Sequence, residues 1–224
     1  MLVIGYVGSA ISEIKMTVKG KFIVFEGIDG SGKSTQLHFV HDYLRSKGHS
    51  VYVTTEPTDR PIGLLIRKVL QNELTVSEET LAALFVADRL DHIQNEVDGM
   101  AAKLDEGVHV LSDRYYWSSY AYHGLHLPID QVVAMNDICH QLLSPDITLY
   151  LDLTAEQSMQ RIVARNEQKE KFEKLELLQK IRQNYLLAFR NHHQELPVEV
   201  IDASQSVEAC TTAVQLIIDK YFIN

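Results

Sequence analysis

Gly27-Ile28-Asp29-Gly30-Ser31-Gly32-Lys33-Ser34-Thr35 is the stretch that decides how this chain reads. It fits a glycine, any four residues, then Gly-Lys-Ser/Thr, the pattern of a phosphate-binding loop. The flanks matter as much as the match. An apolar run, Lys21-Phe22-Ile23-Val24-Phe25-Glu26, precedes the loop, and Leu37, Val40 and Leu44 follow at three- and four-residue spacing. The loop therefore joins a strand to a helix, as the mechanism requires. Glycines let the backbone wrap an anion with its N–H groups inward, and the helix adds its positive end. Lys33 is placed to reach the β- and γ-phosphates of a nucleoside triphosphate, and the Ser34 hydroxyl to hold Mg²⁺. Gly27, Asp29, Gly30, Ser31, Gly32, Lys33, Ser34 and Thr35 form the expected cradle. A glycine-rich turn with a chance lysine is the competing reading.

Outward from the loop, short apolar or β-branched runs alternate with helical patterns. The runs are Phe22–Phe25, Val51–Thr55, Val108–Leu111, Ile147–Leu151 and Val198–Ile201. Most are too apolar for a strand with one wet face, which points to a parallel sheet covered on both sides. Between them, Gly48 supplies a helix stop after Leu44. Thr75 with Glu78, and Thr154 with Gln157, read as capping boxes, and Val207 to Tyr221 as a final amphipathic helix. The predicted fold is a three-layer α/β P-loop NTPase fold with a five-stranded parallel sheet. One domain is expected over residues 20–224. Residues 1–19 carry little pattern and read as a dispensable extension, with a short strand at Leu2–Val7 as the alternative.

Composition narrows the partners. The 224 residues are 46% apolar and 23% charged, enough for one sizeable core, and 30 acidic against 21 basic residues give a net charge of −9. That balance argues against a nucleic-acid polymer as partner, because phosphate backbones are held mainly by Lys and Arg. No run of 18 apolar residues suggests a membrane span. Cys139 and Cys210 sit among apolar neighbours without metal or disulfide spacing, and read as buried thiols in the cytoplasm. His192-His193 read as solvated.

A phosphate loop does not say what is done with the triphosphate. A guanine-reading Asn-Lys-x-Asp motif is missing; Asn95-Glu96-Val97-Asp98 lacks the Lys. The third strand runs into Ser112-Asp113-Arg114-Tyr115 rather than the Asp-Glu of a motor ATPase. Asp113 at a strand end suits a magnesium water. Arg114 beside it suits transfer of a phosphoryl group to a second anion.

The loop within Phe25–Gln36, Thr55-Glu56-Pro57-Thr58, Leu84-Phe85-Val86-Ala87-Asp88-Arg89, Asp113-Arg114-Tyr115 through Ser118 to Ala121-Tyr122, and Pro145–Asp152 come in the order and spacing of thymidylate kinases. The chain resembles that family over about residues 20 to 220. The resemblance implies phosphoryl transfer from ATP·Mg²⁺ to dTMP, giving ADP and dTDP. Another acceptor (dUMP, CMP or AMP) and an ATP-gated switch protein without an acceptor are the alternatives. It further implies that Asp29 bonds the acceptor's 3′-hydroxyl, with a turn-stabilising Asp as the alternative. Phe85 would stack on the base, and Arg89, four residues on and on the same helix face, would reach the base carbonyl or acceptor phosphate. Pro57 and Ser118 would line the acceptor site, Tyr122 would pack on its sugar, and Arg114 would clamp its phosphate. The family commonly has Gln after this Tyr, where this chain has His123. Tyr116, Trp117 and Tyr120 are expected in core or interface. Arg60 is a further phosphate candidate or a solvated loop residue. A lid at about 162–174 would carry Arg161, Arg165, Lys169 and Lys171, with Arg165 closing over the triphosphate as the third catalytic cation after Lys33 and Arg114. A charged solvated helix is the competing reading there. A homodimer is also implied.

Overall fold

The computed structural model describes residues 19–164, 171–192 and 197–222, with side chains for 174–191 of the middle segment. Five strands run β1 Phe22–Glu26, β2 Val51–Thr55, β3 His109–Asp113, β4 Ile147–Asp152 and β5 Val198–Asp202. They form one parallel sheet in the order β2-β3-β1-β4-β5. Each lies where the apolar runs place it, although β3 starts one residue later and extends two further, taking Asp113 into the strand as its last residue.

Alternation along β1 divides the core in two, as the period of a strand dictates. Phe22 and Val24 face one side, where Tyr115, Trp117, Tyr150 and Tyr185 pack with them. Ile23 and Phe25 face the other, against Leu37, Val40 and Leu44 of α1 (Lys33–Ser46) and Val214 and Ile218 of α9 (Val207–Phe222). The first face is closed by α3 (Glu78–Gln94), α5 (Tyr116–His123), α6 (Ile129–Leu142) and α8 (Lys171–His192). Tyr116, Trp117 and Tyr120 lie in this core, and Cys139 and Cys210 are free buried thiols. The remaining helices are α2 (Pro61–Leu70), α4 (Met100–Asp105) and α7 (Ala155–Ala164). Among the described residues no helix is long and apolar enough to cross a membrane.

Of the two expected capping boxes, one forms. Thr154 and Gln157 bond reciprocally, the Thr154 hydroxyl taking the Gln157 N–H at 3.3 Å and the Gln157 side chain taking the Thr154 N–H at 3.3 Å. The Thr75–Glu78 box does not. Helix α3 starts at Glu78 and is capped by Ser77, whose hydroxyl accepts the Thr80 N–H at 3.2 Å. Ser77 is itself a strong cap, and it leaves Glu78 and Glu79 in the first turn, where the helix dipole favours acidic side chains. The expected extension at 1–19 lies almost wholly outside the described residues, as do Arg165, Lys169, His193 and the side chains of Lys171 and His192.

Because β1 sends the chain to one side of the sheet and β4 to the other, a crevice opens beyond the carboxyl ends of the central strands. The glycine loop after β1 occupies it.

Candidate active site

The loop is held in shape by its own backbone. Gly27 adopts φ 146°, and a Cβ there would meet Ser31 Oγ at 2.7 Å and the Leu151 carbonyl at 2.8 Å. Gly32, at φ 97°, turns the chain into α1. Lys33 opens that helix and folds back, its Nζ donating to the carbonyls of Gly27 at 3.0 Å and Ile28 at 3.2 Å. Burial, and then Arg114, push its pKa down to about 8, against the pull of Asp113, Asp29 and Glu26. A buried ammonium on two neutral carbonyls is a site that gains from an incoming anion.

Ser34 Oγ donates to Asp113 Oδ2 at 3.0 Å, tying the loop to the end of β3. Asp113 Oδ1 and Ser31 Oγ are buried without a hydrogen-bond partner. Asp29, Gly30, Gly32, Lys33, Ser34, Thr35, Asp113 and Arg114 border a polar cavity of about 270 Å³ together with Thr55. On the other side of the loop a second cavity of about 320 Å³ lies between Gly32, Gln36, Arg161, Ala203, Gln205 and Ser206. Arg161 is fixed there by the Ala203 carbonyl at 2.8 Å. This segment after β5 escaped the sequence reading, since Ser204-Gln205-Ser206 has no pattern beyond that of a turn.

Arg114 joins the loop to the rest of the crevice. It leaves β3 at φ 75°, with its N–H on the Phe25 carbonyl at 2.9 Å. Its Nη2 donates to Asp29 Oδ1 at 2.6 Å and to Tyr122 Oη at 3.1 Å, and its Nη1 to Ser118 Oγ at 3.1 Å. The guanidinium carbon lies 4.9 Å from the Tyr122 ring centre. Burial works to raise the Asp29 pKa, but Arg114, Lys33 and Lys174 outweigh it and hold the carboxylate below its ordinary value. Lys174, on α8 at the end of the expected lid, is thus a cation near the loop that motif reading did not single out.

Beneath Arg114 lies Glu26, fully buried at the end of β1. Burial pushes its pKa up, while Arg114 and hydrogen bonds from Ser118, Tyr185 and the Tyr115 N–H oppose that. A second buried carboxylate, Glu56, follows β2 and accepts from Arg89 Nε at 2.8 Å and contacts His92 Nδ1 at 3.1 Å. Arg89 is 1% exposed, and its Nη1 also donates to Ser119 and Asn136. The guanidinium expected at the acceptor base is thus locked among protein partners. Asp88 takes the N–H and hydroxyl of Thr58 at 2.8 and 2.5 Å, fixing the loop after Pro57. Arg67 donates to the Pro57 carbonyl at 2.6 Å and to Asp59 at 3.0 Å, and its Nε is buried without a partner. Arg60 pairs with Asp91 at 3.0 Å and with Asp98. Phe85 is half-buried, its ring 5.1 Å from that of His123 at 63°. Burial, with Arg89 and His126, pushes the His123 pKa down to about 4, so its imidazole is neutral at pH 7.

The glycine loop, the buried lysine, the strand-end Asp-Arg pair and a facing aromatic wall define a P-loop enzyme of the phosphotransferase kind. The thymidylate kinase family model matches residues 25–214. The chain is 38% identical over 175 residues to a protein of Pyrococcus horikoshii named "Probable thymidylate kinase", spanning 75% of this chain and 82% of that one. It is 42% identical over 167 residues to a "Probable thymidylate kinase" of Methanococcus aeolicus, 74% of this chain and 78% of the other. With the "Thymidylate kinase" of Desulfotalea psychrophila it shares 38% over 164 residues, 72% and 78% of the two chains. This chain belongs to the thymidylate kinase family.

Proposed function

We propose that the protein transfers the γ-phosphoryl group of ATP to dTMP, releasing ADP and dTDP. The observation that carries this reading is Arg114, which at once touches the loop aspartate and the Tyr122 hydroxyl across the crevice. A phosphate oxygen of dTMP attacks the γ-phosphorus as the bond to the β-phosphate oxygen breaks. The protein's task is to align two anions that repel each other and to stabilise charge on the moving group. Lys33 would move from its carbonyls to the triphosphate, and Arg114 would bridge donor and acceptor phosphates. Lys174, whose charge acts on Asp29, would add to this cationic set, and Arg165 is the lid residue expected to complete it. The Arg161 cavity, flanked by Gln205 and Ser206, would take the donor nucleoside.

The residues where α1 begins and β3 ends fit Mg²⁺: a Ser34 hydroxyl and an Asp113 carboxylate with one orphaned buried oxygen are hard oxygen ligands. Bound there with the phosphates, the ion would neutralise charge on the β- and γ-oxygens.

On the acceptor side, Phe85 and the neutral His123 would wall the base, with Arg89 and Ser118 behind them. Tyr122 would pack on the sugar, Asp29 would take the 3′-hydroxyl, and Arg67 beside Pro57 would add positive charge to the acceptor phosphate. Exposed Leu64, Leu65 and Leu70 on α2 and Ile138 and Leu142 on α6 support a homodimer, since α3 packs against both helices. Sedimentation at micromolar protein checks it by mass. A cytoplasmic setting, where both thiols stay reduced, accords with this reading. The test of the reaction is incubation with ATP and Mg²⁺ plus single monophosphates, with chromatography of the nucleotides. Formation of dTDP ahead of dUDP, CDP and ADP from AMP is expected. A faster turnover of any other acceptor reassigns the substrate.

A further inference from the structure

Glu26 is fully buried, and the mechanism above gives it no contact with either nucleotide. Its Oε1 accepts the backbone N–H groups of Tyr115 at 2.8 Å and Ser118 at 3.1 Å. These are the cap and third positions of α5, where the Tyr115 side chain offers no cap of its own, so Glu26 caps the helix from a neighbouring strand. Its Oε2 lies 2.7 Å from Ser118 Oγ and 2.7 Å from Tyr185 Oη, and those two hydroxyls are 2.8 Å apart. Both hydroxyls also lie in reach of Arg114 Nη1, at 3.1 Å for Ser118 and 3.4 Å for Tyr185.

Two backbone N–H groups on Oε1 and the adjacent Arg114 favour the charged form of Glu26 against its burial. Each hydroxyl carries one hydrogen, and an ionised carboxylate only accepts. Both hydrogens are therefore drawn to Glu26, and the oxygen lone pairs are left for the guanidinium. We propose that Glu26 is a positioning residue for phosphoryl transfer: its carboxylate orients the Ser118 and Tyr185 hydroxyls as acceptors that hold Arg114 in its working place. Arg114 leaves β3 at positive φ, a strained conformation for a non-glycine residue, so its side chain must be over-determined by neighbours to stay where it is. Tyr185 supplies one of those neighbours from α8.

This inference rests on Arg114 acting at the transferring phosphate, and the test separates the two. Glu26→Gln keeps the shape but replaces an acceptor with an N–H₂ donor, so the hydroxyl hydrogens lose their acceptor and at least one turns toward Arg114. Its kcat is expected to fall roughly ten- to hundredfold, as for a catalytic group displaced by a fraction of an ångström. The KM for ATP should stay within about twofold, since Lys33 and the loop are untouched. In an Arg114→Ala background the same change should alter kcat by less than about twofold, because a residue that works through Arg114 has nothing left to position. Tyr185→Phe, which keeps the ring in the core, is expected to cost roughly fivefold in kcat and guards against a misfolded Glu26→Gln. Melting temperature and near-ultraviolet dichroism report the fold. Wild-type kcat in Glu26→Gln, or an equal loss with and without Arg114, overturns the inference alone. Wild-type kcat in Arg114→Ala overturns it together with the role given to Arg114.

Discussion

The two halves of the crevice are built in opposite ways. The donor half is one continuous segment, Gly27 to Thr35, in which backbone geometry does most of the work and the lysine is held by carbonyls five and six residues away. The acceptor half is gathered from distant parts of the chain around three buried carboxylates, Glu26, Glu56 and Asp88, whose partners lie 30 to 159 residues off. A backbone cradle tolerates a lost side chain without unfolding. A buried carboxylate stripped of its partner, or a cation stripped of its carboxylate, leaves uncompensated charge in the core. The donor half should therefore fail in rate, and the acceptor half in rate and stability together.

The largest expected effect lies where the halves meet. Lys33→Ala and Arg114→Ala should each lower kcat by about 10³-fold or more, the scale set by cations at a transferring phosphoryl group. Lys33→Ala should leave the melting temperature at or above that of the parent, since it removes a buried charge whose pKa is already depressed. Steady-state kinetics and calorimetry on the same samples check both, and a Lys33→Ala protein that melts well below its parent breaks the contrast.

Next comes Glu56→Gln, which leaves Arg89 buried without its counter-charge. Breaking such a pair costs about 3–5 kcal/mol, so urea unfolding should show a much lower midpoint. An unchanged midpoint would mean that the acceptor half is not held by its ion pairs.

Smaller and graded effects follow from pH. His109 and His123 have pKa values pushed down to about 4 from an ordinary 6.5, so both are neutral in the folded chain at pH 7. Between those values the unfolded chain binds more protons than the folded one. Stability is then complete above about pH 6.5 and falls as pH drops toward 4, by at most about 3 kcal/mol for each histidine. His123→Gln should flatten its share of that slope. On the donor side, Lys33 at about 8 means that ATP binding takes up a proton above that pH. ATP affinity should weaken by up to roughly tenfold per pH unit there, with proton uptake visible by calorimetry in buffers of different ionisation enthalpy and gone in Lys33→Ala.

The same contrast explains what was legible in the sequence. The phosphate loop could be read because its parts are neighbours in the chain and their types are dictated by one backbone shape. The five strands were legible for a related reason, as apolar runs covered on both sides leave little choice of fold. Glu26 stands directly before the phosphate loop and still gives no sign of its role, because Ser118 and Tyr185 meet it only in three dimensions. Arg89 was recognised as a special residue, but nothing local shows that Glu56, Ser119 and Asn136 close around it. Ser77 displaces the expected Thr75–Glu78 cap because two overlapping cap patterns compete, and the Ser77 start leaves both Glu78 and Glu79 in the first turn.

The account turns on one crevice holding a donor and an acceptor together, and ADP formation at saturating ATP·Mg²⁺, with and without dTMP, tests that most directly. The account predicts slow release of ADP from ATP alone and a rise of about a hundredfold or more when dTMP is added, matched mole for mole by dTDP. An equal rate with and without dTMP, and no dTDP, would contradict it.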